Sequence, residues 1–271
     1  MKIGSLFSGI GGLELGLEKS IPNAQTVWQV ERDPYARRVL AKNWPGVAMF
    51  EDVRAVGAHN LEPVDLICGG FPCTDISFAG KGAGINGERS GLWREFSRII
   101  SEIRPRYAVV ENVPALLNRG MGRVLGDLAE SGYHAQWDCI PAAAVGAHHR
   151  RDRLFIVAHT HSEWKLQPKR PVKAKRGRFS DSRSTIPDTY SEHERFGDDG
   201  NAEVFRSSAE SWKIAREIQS TKPWPIEPGV GRVAYGVPNG VDRLRALGNA
   251  VVPQVAEVIG RVIVDLEGQK G

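Results

Sequence analysis

One of the three cysteines stands in a setting suited to nucleophilic chemistry. Cys73 ends the run Gly69-Gly70-Phe71-Pro72-Cys73 and is followed by polar residues. A thiolate is a strong nucleophile, and a polar, glycine-rich loop keeps it accessible. Cys68 and Cys139 lie among apolar residues instead, which is typical of buried cysteines that only pack. The sequence therefore indicates Cys73 as the candidate nucleophile.

A glycine-rich segment near the start is suited to binding a nucleoside. Phe7-Ser8-Gly9-Ile10-Gly11-Gly12 follows an apolar run. Glu31 comes about 20 residues later, where a carboxylate can accept hydrogen bonds from a ribose diol. The dinucleotide-binding pattern G-x-G-x-x-G would require glycine at position 14, where this chain has Glu14. We therefore expect a nucleoside cofactor without a pyrophosphate, and an NAD(P)-dependent oxidoreductase is the disfavoured alternative.

Two charged motifs complete the candidate site. Glu111-Asn112 ends an apolar run, and a desolvated carboxylate there can hold a proton and act as an acid. Arg151-Asp152-Arg153 leads into another apolar run. On an extended backbone the two arginines point to the same side. We therefore expect two guanidinium groups on one face, where they suit phosphate or carbonyl oxygens.

Alternating strand and helix patterns must position these motifs. The predicted strands are Lys2–Phe7, Gln25–Glu31, Val64–Cys68, Tyr107–Val110 and Leu154–Val157. The predicted helices are Leu13–Lys19, a helix beginning at Asp33-Pro34, Leu92–Ile103 and Val241–Leu266. Such alternation predicts an α/β fold with a mainly parallel sheet and helices on both faces. In such sheets ligands bind at the carboxyl ends of the strands, where the motifs stand.

The composition and hydrophobic periodicity of the chain suggest three segments. Residues 1–158 are expected to form a cofactor-binding and catalytic domain. Residues 159–236 are rich in Pro, Ser, Lys and Arg, which favours a small irregular domain. Residues 237–271 are expected to form a C-terminal helix that returns to the first domain.

The composition is that of an ordinary globular enzyme. The chain has 271 residues, a net charge of +4 and 41% hydrophobic residues, which excludes collagen-like, coiled-coil and wholly disordered proteins. We find no run of roughly 20 apolar residues, so we expect no membrane partner. An odd count of three cysteines favours a reducing, cytoplasmic setting over a disulfide framework.

The positive charge is concentrated in one run without acidic residues. Such a run is about as often a solvated loop as a phosphate-contacting patch, so its composition leaves both open. Its seven basic residues are Lys165, Lys169, Arg170, Lys173, Lys175, Arg176 and Arg178.

Taken in order, the motifs resemble those of the DNA (cytosine-5) methyltransferase family, of bacterial or phage type. They are Phe-Ser-Gly-Ile-Gly-Gly, Gly-Phe-Pro-Cys, Glu-Asn-Val, Arg-x-Arg and Gly248-Asn249-Ala250-Val251. The resemblance implies a Rossmann-like methyltransferase sheet, with target recognition by residues 159–236. It also implies transfer of a methyl group from S-adenosylmethionine to C5 of a cytosine flipped out of duplex DNA.

The resemblance implies a role for each motif residue. Cys73 would add to cytosine C6, Glu111 would bind the N3/N4 edge and Arg153 would lie near O2. The implied catalytic residues are Cys73, Glu111, Arg153, Arg151, Asn112 and Pro72. The implied cofactor-binding residues are Phe7, Ser8, Gly9, Ile10, Gly11, Gly12, Glu31, Asp52, Val53, Gly70, Asn249 and Val251. The implied DNA contacts are Ser77 and Lys81, in a loop closing over the base, and the seven basic residues of 165–178.

Several alternatives stay open. An RNA-directed relative would methylate tRNA cytosine by the same chemistry, and a non-catalytic DNA-binding relative would keep only the fold. The family usually has Gln where this chain has His149. The pairs His148/His149 and His159/His161 lack a Cys-x-x-Cys partner, so we expect no metal. We expect a cytoplasmic monomer acting on double-stranded DNA, with any cognate restriction endonuclease unnecessary for activity.

Overall fold

The structure, a computed structural model, describes residues 1–72, 92–160, 208–221, 224 and 240–268. These residues form a sheet with strand order β3-β2-β1-β4-β5-β7-β6. The strands are β1 (Lys2–Leu6), β2 (Gln25–Val30), β3 (Ala48–Phe50), β4 (Leu66–Gly69), β5 (Tyr107–Asn112), β6 (Tyr133–Pro141) and β7 (Asp152–Thr160). The helices are α1 (Gly12–Ser20), α2 (Pro34–Asn43), α3 (Leu92–Ile103), α4 (Leu116–Arg119), α5 (Met121–Glu130), α6 (Ser208–Thr221), α7 (Gly240–Asn249) and α8 (Pro253–Gly268).

The first five strands are all parallel to one another. The central strands β4 and β5 are continuous apolar runs because helices cover both faces of the sheet. Cys68 is buried there, as its apolar run predicts, and burial raises the pKa of its thiol well above the ordinary range. The predicted α/β fold with a mainly parallel sheet is confirmed.

An antiparallel pair of strands extends the sheet beyond β5. Strand β7 runs antiparallel to β5, and β6 runs antiparallel to β7. Two strands are absent from those predicted: β3 has only three residues, and in β6 polar residues alternate with apolar ones. The reversal of β7 has a direct consequence for the site. Arg153, the second residue of β7, lies at the edge of the sheet where β5 ends.

Apolar clusters cover both faces of the sheet. On one face, helices α3 and α5 pack over the strands, and the Trp93 ring lies 5.4 Å from that of Phe71 and 5.7 Å from that of Phe96. On the other face, α1, α6 and α8 form the second cluster. Helix α2 begins as predicted, since the Asp33 carboxylate accepts hydrogen bonds from the first backbone N–H groups, next to Pro34.

The C-terminal part of the chain departs from the sequence prediction. Val241–Leu266 is predicted as one helix, but α7 ends at Asn249 and α8 begins at Pro253. Proline fits the first helical position and cannot continue a preceding helix, which accounts for the break. Helix α8 returns to the first domain as predicted, packing against α1.

The apolar character of the C-terminal segment is explained by its packing. By length and composition alone, Val241–Gly268 could cross a membrane. In the structure the segment is broken into two helices, and α8 buries Val258, Ile259 and Ile263 in the core.

One described part of the segment 159–236 joins this core. Helix α6 packs Ile214 and Ile218 into the cluster with α8. The Trp224 indole N–H donates a hydrogen bond of 2.8 Å to the carbonyl of Val145. The proposed division of the chain into a catalytic and a target-recognition region stays a prediction.

Helices α1 and α8 can pack closely only because Gly16 has no side chain, and this packing gives a first prediction. A Cβ at Gly16 would lie 2.2 Å from the Pro253 carbonyl oxygen and 2.4 Å from the Ala256 Cβ. Gly16→Ala should therefore lower the free energy of unfolding by about 1–3 kcal/mol. In contrast, Gly126→Ala, a helical position with open space around it, should raise it by up to about 1 kcal/mol. Urea denaturation measures both; equal effects of the two changes would contradict this packing.

Glu14 is buried in the first turn of α1, beneath the glycine-rich segment. Its side chain is fully enclosed, and neither carboxylate oxygen makes a hydrogen bond of good geometry. Burial raises the pKa of Glu14 to about 7, although the nearby Ser5 and Ser8 hydroxyls partly offset this. The folded protein therefore holds a proton on Glu14 that the unfolded chain releases at lower pH.

This buried acid gives a second prediction. Because folding raises the pKa of Glu14, the contribution of this group to the free energy of unfolding is fully present below about pH 4.5. It is lost as pH rises through about 7. The loss is about 3 kcal/mol. Glu14→Gln should remove this loss between pH 5 and 8 in urea denaturation, whereas the control Glu130→Gln, an exposed residue, should not. An unchanged pH dependence in Glu14→Gln would contradict the burial of the acid.

Candidate active site

A cavity of about 500 Å³ opens at the carboxyl ends of the parallel strands. That volume is in the usual range for small-molecule sites. It is walled by the turns after β1, β2, β4 and β5, by the start of β7 and by α7 with the segment after it. The sequence-predicted residues that line it are Phe7, Ser8, Gly9, Ile10, Gly12, Glu31, Asp52, Val53, Gly70, Pro72, Glu111, Asn112, Arg153, Asn249 and Val251.

The glycine-rich segment makes a tight reversal between β1 and α1. Phe7, Gly9 and Gly11 all have positive φ, at 54°, 57° and 86°. Glycine adopts such values at little cost, whereas Phe7 must be held there by its surroundings. The Phe7 ring stacks on Phe96 with 6.2 Å between ring centroids. Gly11 does not line the cavity; a Cβ there would meet the Trp44 ring.

Glu31 ties the glycine turn to the start of α2. One carboxylate oxygen accepts a hydrogen bond of 2.7 Å from the Gly9 N–H, and the other accepts one of 2.7 Å from the Asp33 N–H. Burial raises the pKa of Glu31, while these backbone donors oppose the rise. The strand β2 ends one residue earlier than predicted, so Glu31 lies just beyond it. Further along, Asp52 caps the 3₁₀ helix Val53–Ala55 by accepting from the Arg54 N–H.

A largely buried ion pair lies at the end of β5. The Arg153 Nε is 2.8 Å from a Glu111 carboxylate oxygen, and the side chains of Arg153 and Glu111 are 21% and 12% exposed. Burial raises the pKa of Glu111 to about 7, although Arg153 and Arg151 favour its charged form. A Cβ at Gly70 would lie 2.4 Å from the other Glu111 oxygen, so the carboxylate fits only because residue 70 has no side chain.

Asn112 holds the start of the loop that follows β4. It is buried, and its side-chain amide donates to the Phe71 carbonyl at 3.4 Å and accepts from the Val113 N–H at 2.8 Å. Pro72 lines the cavity beside it. Cys73 follows Pro72 directly but lies outside the described residues, as do Ser77, Lys81 and the basic run 165–178.

The expectation that Arg151 and Arg153 share one face is wrong. Arg151 precedes β7 and has φ of 39°, so the backbone is not extended there. Its guanidinium donates to the carbonyls of Gly248 and Ala250, whereas Arg153 pairs with Glu111. Arg151 does not line the cavity.

The sequence analysis misses several residues of the cavity wall. Glu14 is considered there only as a missing glycine, although an acid flanked by Leu13 and Leu15 at the start of a predicted helix is itself a signal. Asp242 and Arg245 of α7 line the cavity, and Arg245 forms an ion pair with Asp33 across it. Their contribution depends on where α7 docks, which the local pattern does not specify.

Within the part of the chain that the structure describes, no group of three or more metal-ligating side chains occurs; His161 lies outside that part. The His149 ring instead contacts the edge of Trp224, with 6.4 Å between ring centroids. His159 stacks on His134 across the β6–β7 pair, at 5.8 Å.

Known proteins with similar sequences are methyltransferases. The type II methyltransferase M2.BsuMI of Bacillus subtilis is 40% identical over 166 residues, covering 58% of this chain and 42% of that protein. M.NgoFVII of Neisseria gonorrhoeae, also a type II methyltransferase, is 33% identical over 162 residues, covering 58% and 43%. The chain therefore spans less than half the length of these relatives.

The fold also resembles that of a solved methyltransferase. The solved methyltransferase EhMeth of Entamoeba histolytica superposes with a TM-score of 0.61 over 98% of both chains, at 15% identity, which is a likeness of fold. The family described as C-5 cytosine-specific DNA methylase matches residues 1–229. With its motifs gathered on one cavity and most of its length matched by that family, this chain belongs to the C-5 cytosine-specific DNA methylases.

Proposed function

We propose that this protein is an S-adenosylmethionine-dependent DNA (cytosine-5) methyltransferase, of the type classified as EC 2.1.1.37. It acts on a cytosine flipped out of a specific duplex DNA sequence, through a covalent bond between Cys73 and C6. The observation that carries the proposal is the largely buried Glu111–Arg153 pair, which lies in the same cavity as the glycine-rich turn.

The cofactor side of the cavity suits a nucleoside linked to an amino acid. The turn Phe7–Gly12 brings backbone close to the ligand, and the first N–H groups of α1 lack partners within the helix. Glu31 presents a fixed carboxylate for a ribose diol. Asp52 also lines the cavity, where it can contact the adenine of the cofactor. Asn249 and Val251 complete this side of the cavity, where the Val251 carbonyl packs against Gly12. When bound, S-adenosylmethionine supplies an electrophilic sulfonium methyl group.

The base side suits a pyrimidine with a developing charge. Cytosine C5 becomes nucleophilic once the Cys73 thiolate adds to C6, and Arg153 offers donors to the O2 oxygen. Glu111 has a pKa of about 7, so near neutral pH it exists both with and without its proton. It can therefore bind the N4 amino group and hold a proton at N3 as the thiolate adds. Loss of the C5 proton then expels Cys73.

The central prediction is that methyl transfer requires both Cys73 and Glu111. Incubation with tritiated S-adenosylmethionine and duplex DNA of random sequence should label cytosine C5. Cys73→Ser should abolish labelling but retain S-adenosylhomocysteine binding, because the thiol acts on the base. Glu111→Gln, which cannot supply a proton, should lower the rate by about 10²-fold or more. The control Glu130→Gln should label normally.

Two results would count against this function. Absence of label at cytosine C5 on every duplex tested, with folded protein, would exclude DNA methylation. Label on tRNA but not on duplex DNA would assign the same chemistry to an RNA substrate.

We further propose that the basic run 165–178 contacts the DNA backbone, together with Ser77 and Lys81. Charge supports this for the basic run and for Lys81, since phosphate contacts by Lys and Arg position a protein without reading sequence. Ser77 is included because it belongs to the loop that the family resemblance expects to close over the base. The doubly substituted Lys173→Gln/Lys175→Gln should bind DNA more weakly. The slope of log affinity against log salt should fall by about 0.9 per lost contact.

Fluorescence anisotropy over a salt series measures that slope. Lys19→Gln is the matched control, because Lys19 is exposed in the last turn of α1, at the end away from the cavity. An unchanged slope in the double variant would assign the run to a solvated segment.

A further inference from the structure

We propose that Arg151 is a positioning residue for the cofactor side of the cavity and does not contact the target base. The inference rests on the proposed function, since it assigns the wall that Arg151 supports to the cofactor. Arg151 itself stays outside the cavity lining and acts through the segment after α7.

The guanidinium of Arg151 holds the C-terminal end of α7. Its Nη2 donates a hydrogen bond of 2.7 Å to the carbonyl of Gly248, in the last turn of the helix. The same nitrogen donates to the carbonyl of Ala250, just past the helix. The last carbonyls of a helix have no partner within it, and a cation there also opposes the negative end of the helix dipole. Arg151 therefore satisfies groups that would otherwise need water.

The backbone of Arg151 is bent to make this contact. Its φ of 39° is uncommon for a residue with a side chain and costs of order 1 kcal/mol or more. This turn sends the side chains of Arg151 and Arg153 to different partners, although they are only two residues apart. The two bonds to α7 offset the cost of the turn.

The segment that Arg151 holds by hydrogen bonds, at the end of α7, is part of the cavity wall. Asn249 lies between the two carbonyls that accept its hydrogen bonds, and both Asn249 and Val251 line the cavity. On its other side this segment fits closely against α1. A Cβ at Gly12 would lie 2.1 Å from the Val251 carbonyl oxygen. The wall is therefore fixed from two directions, by Arg151 and by the start of α1.

Arg151 also connects this wall to the base side. Its charge lies close enough to Glu111 to favour the ionised carboxylate, as that of Arg153 does. One short stretch of chain, Arg151-Asp152-Arg153, thus holds both the cofactor wall and Glu111, the carboxylate on the side of the cavity proposed for the cytosine. Loosening Arg151 should consequently weaken cofactor binding even when no DNA is present.

The test is the affinity for S-adenosylhomocysteine without DNA, measured by isothermal titration calorimetry. Arg151→Met removes the donors but keeps the aliphatic stem, and should raise the Kd at least tenfold. Arg151→Lys keeps the charge but loses the planar donor group, and should raise the Kd less. The control Arg150→Met removes a neighbouring exposed arginine and should leave the Kd within twofold. If Arg151→Met does not fold, by circular dichroism, a threefold or greater rise in Arg151→Lys is the supporting result.

Steady-state kinetics on DNA separates the two roles of Arg151. A positioning role raises the KM for the cofactor more than it lowers kcat. A Kd within twofold of wild type in both Arg151 variants, with a lowered kcat, would overturn the inference and return Arg151 to the base side. Failure of the wild-type protein to bind S-adenosylhomocysteine would count against the proposed function instead.

Discussion

The candidate site depends on one largely buried ion pair, between Glu111 and Arg153. A carboxylate that loses its water must gain a charged partner or keep its proton, and Glu111 is balanced between the two. Arg153 reaches it only because β7 runs antiparallel to β5, which brings the start of one strand to the end of the other. Gly70 leaves the space that the carboxylate occupies.

The same edge of the sheet gathers the other functional groups. Because β1, β2, β4 and β5 are parallel, the turns that follow them open on one cavity. Helix α7 and the segment after it form the rest of the cavity wall. That segment is held by Arg151 and by its close fit at Gly12. A nucleoside cofactor and a pyrimidine base can therefore share this cavity, as the proposed transfer of a methyl group requires.

Much of this arrangement follows from the sequence, for a physical reason. Phe7–Gly12, Gly69–Pro72 and Glu111-Asn112 each follow or end an apolar run, and in a parallel sheet that local fact fixes where these motifs lie. Arg151 is different, because its role depends on a positive φ and on carbonyls almost 100 residues further along the chain. Strand β6 and the break before Pro253 were not predicted, although both have local signals: apolar and polar residues alternate along β6, and a proline marks the start of α8.

Bisulfite sequencing of DNA from cells that express the protein tests the central claim most directly, because it reads the proposed product itself. The account predicts protected cytosines within one short sequence context, absent from cells that express the Cys73→Ser protein at equal levels. Genomic DNA without protected cytosines in any context, despite folded wild-type protein in those cells, would contradict it.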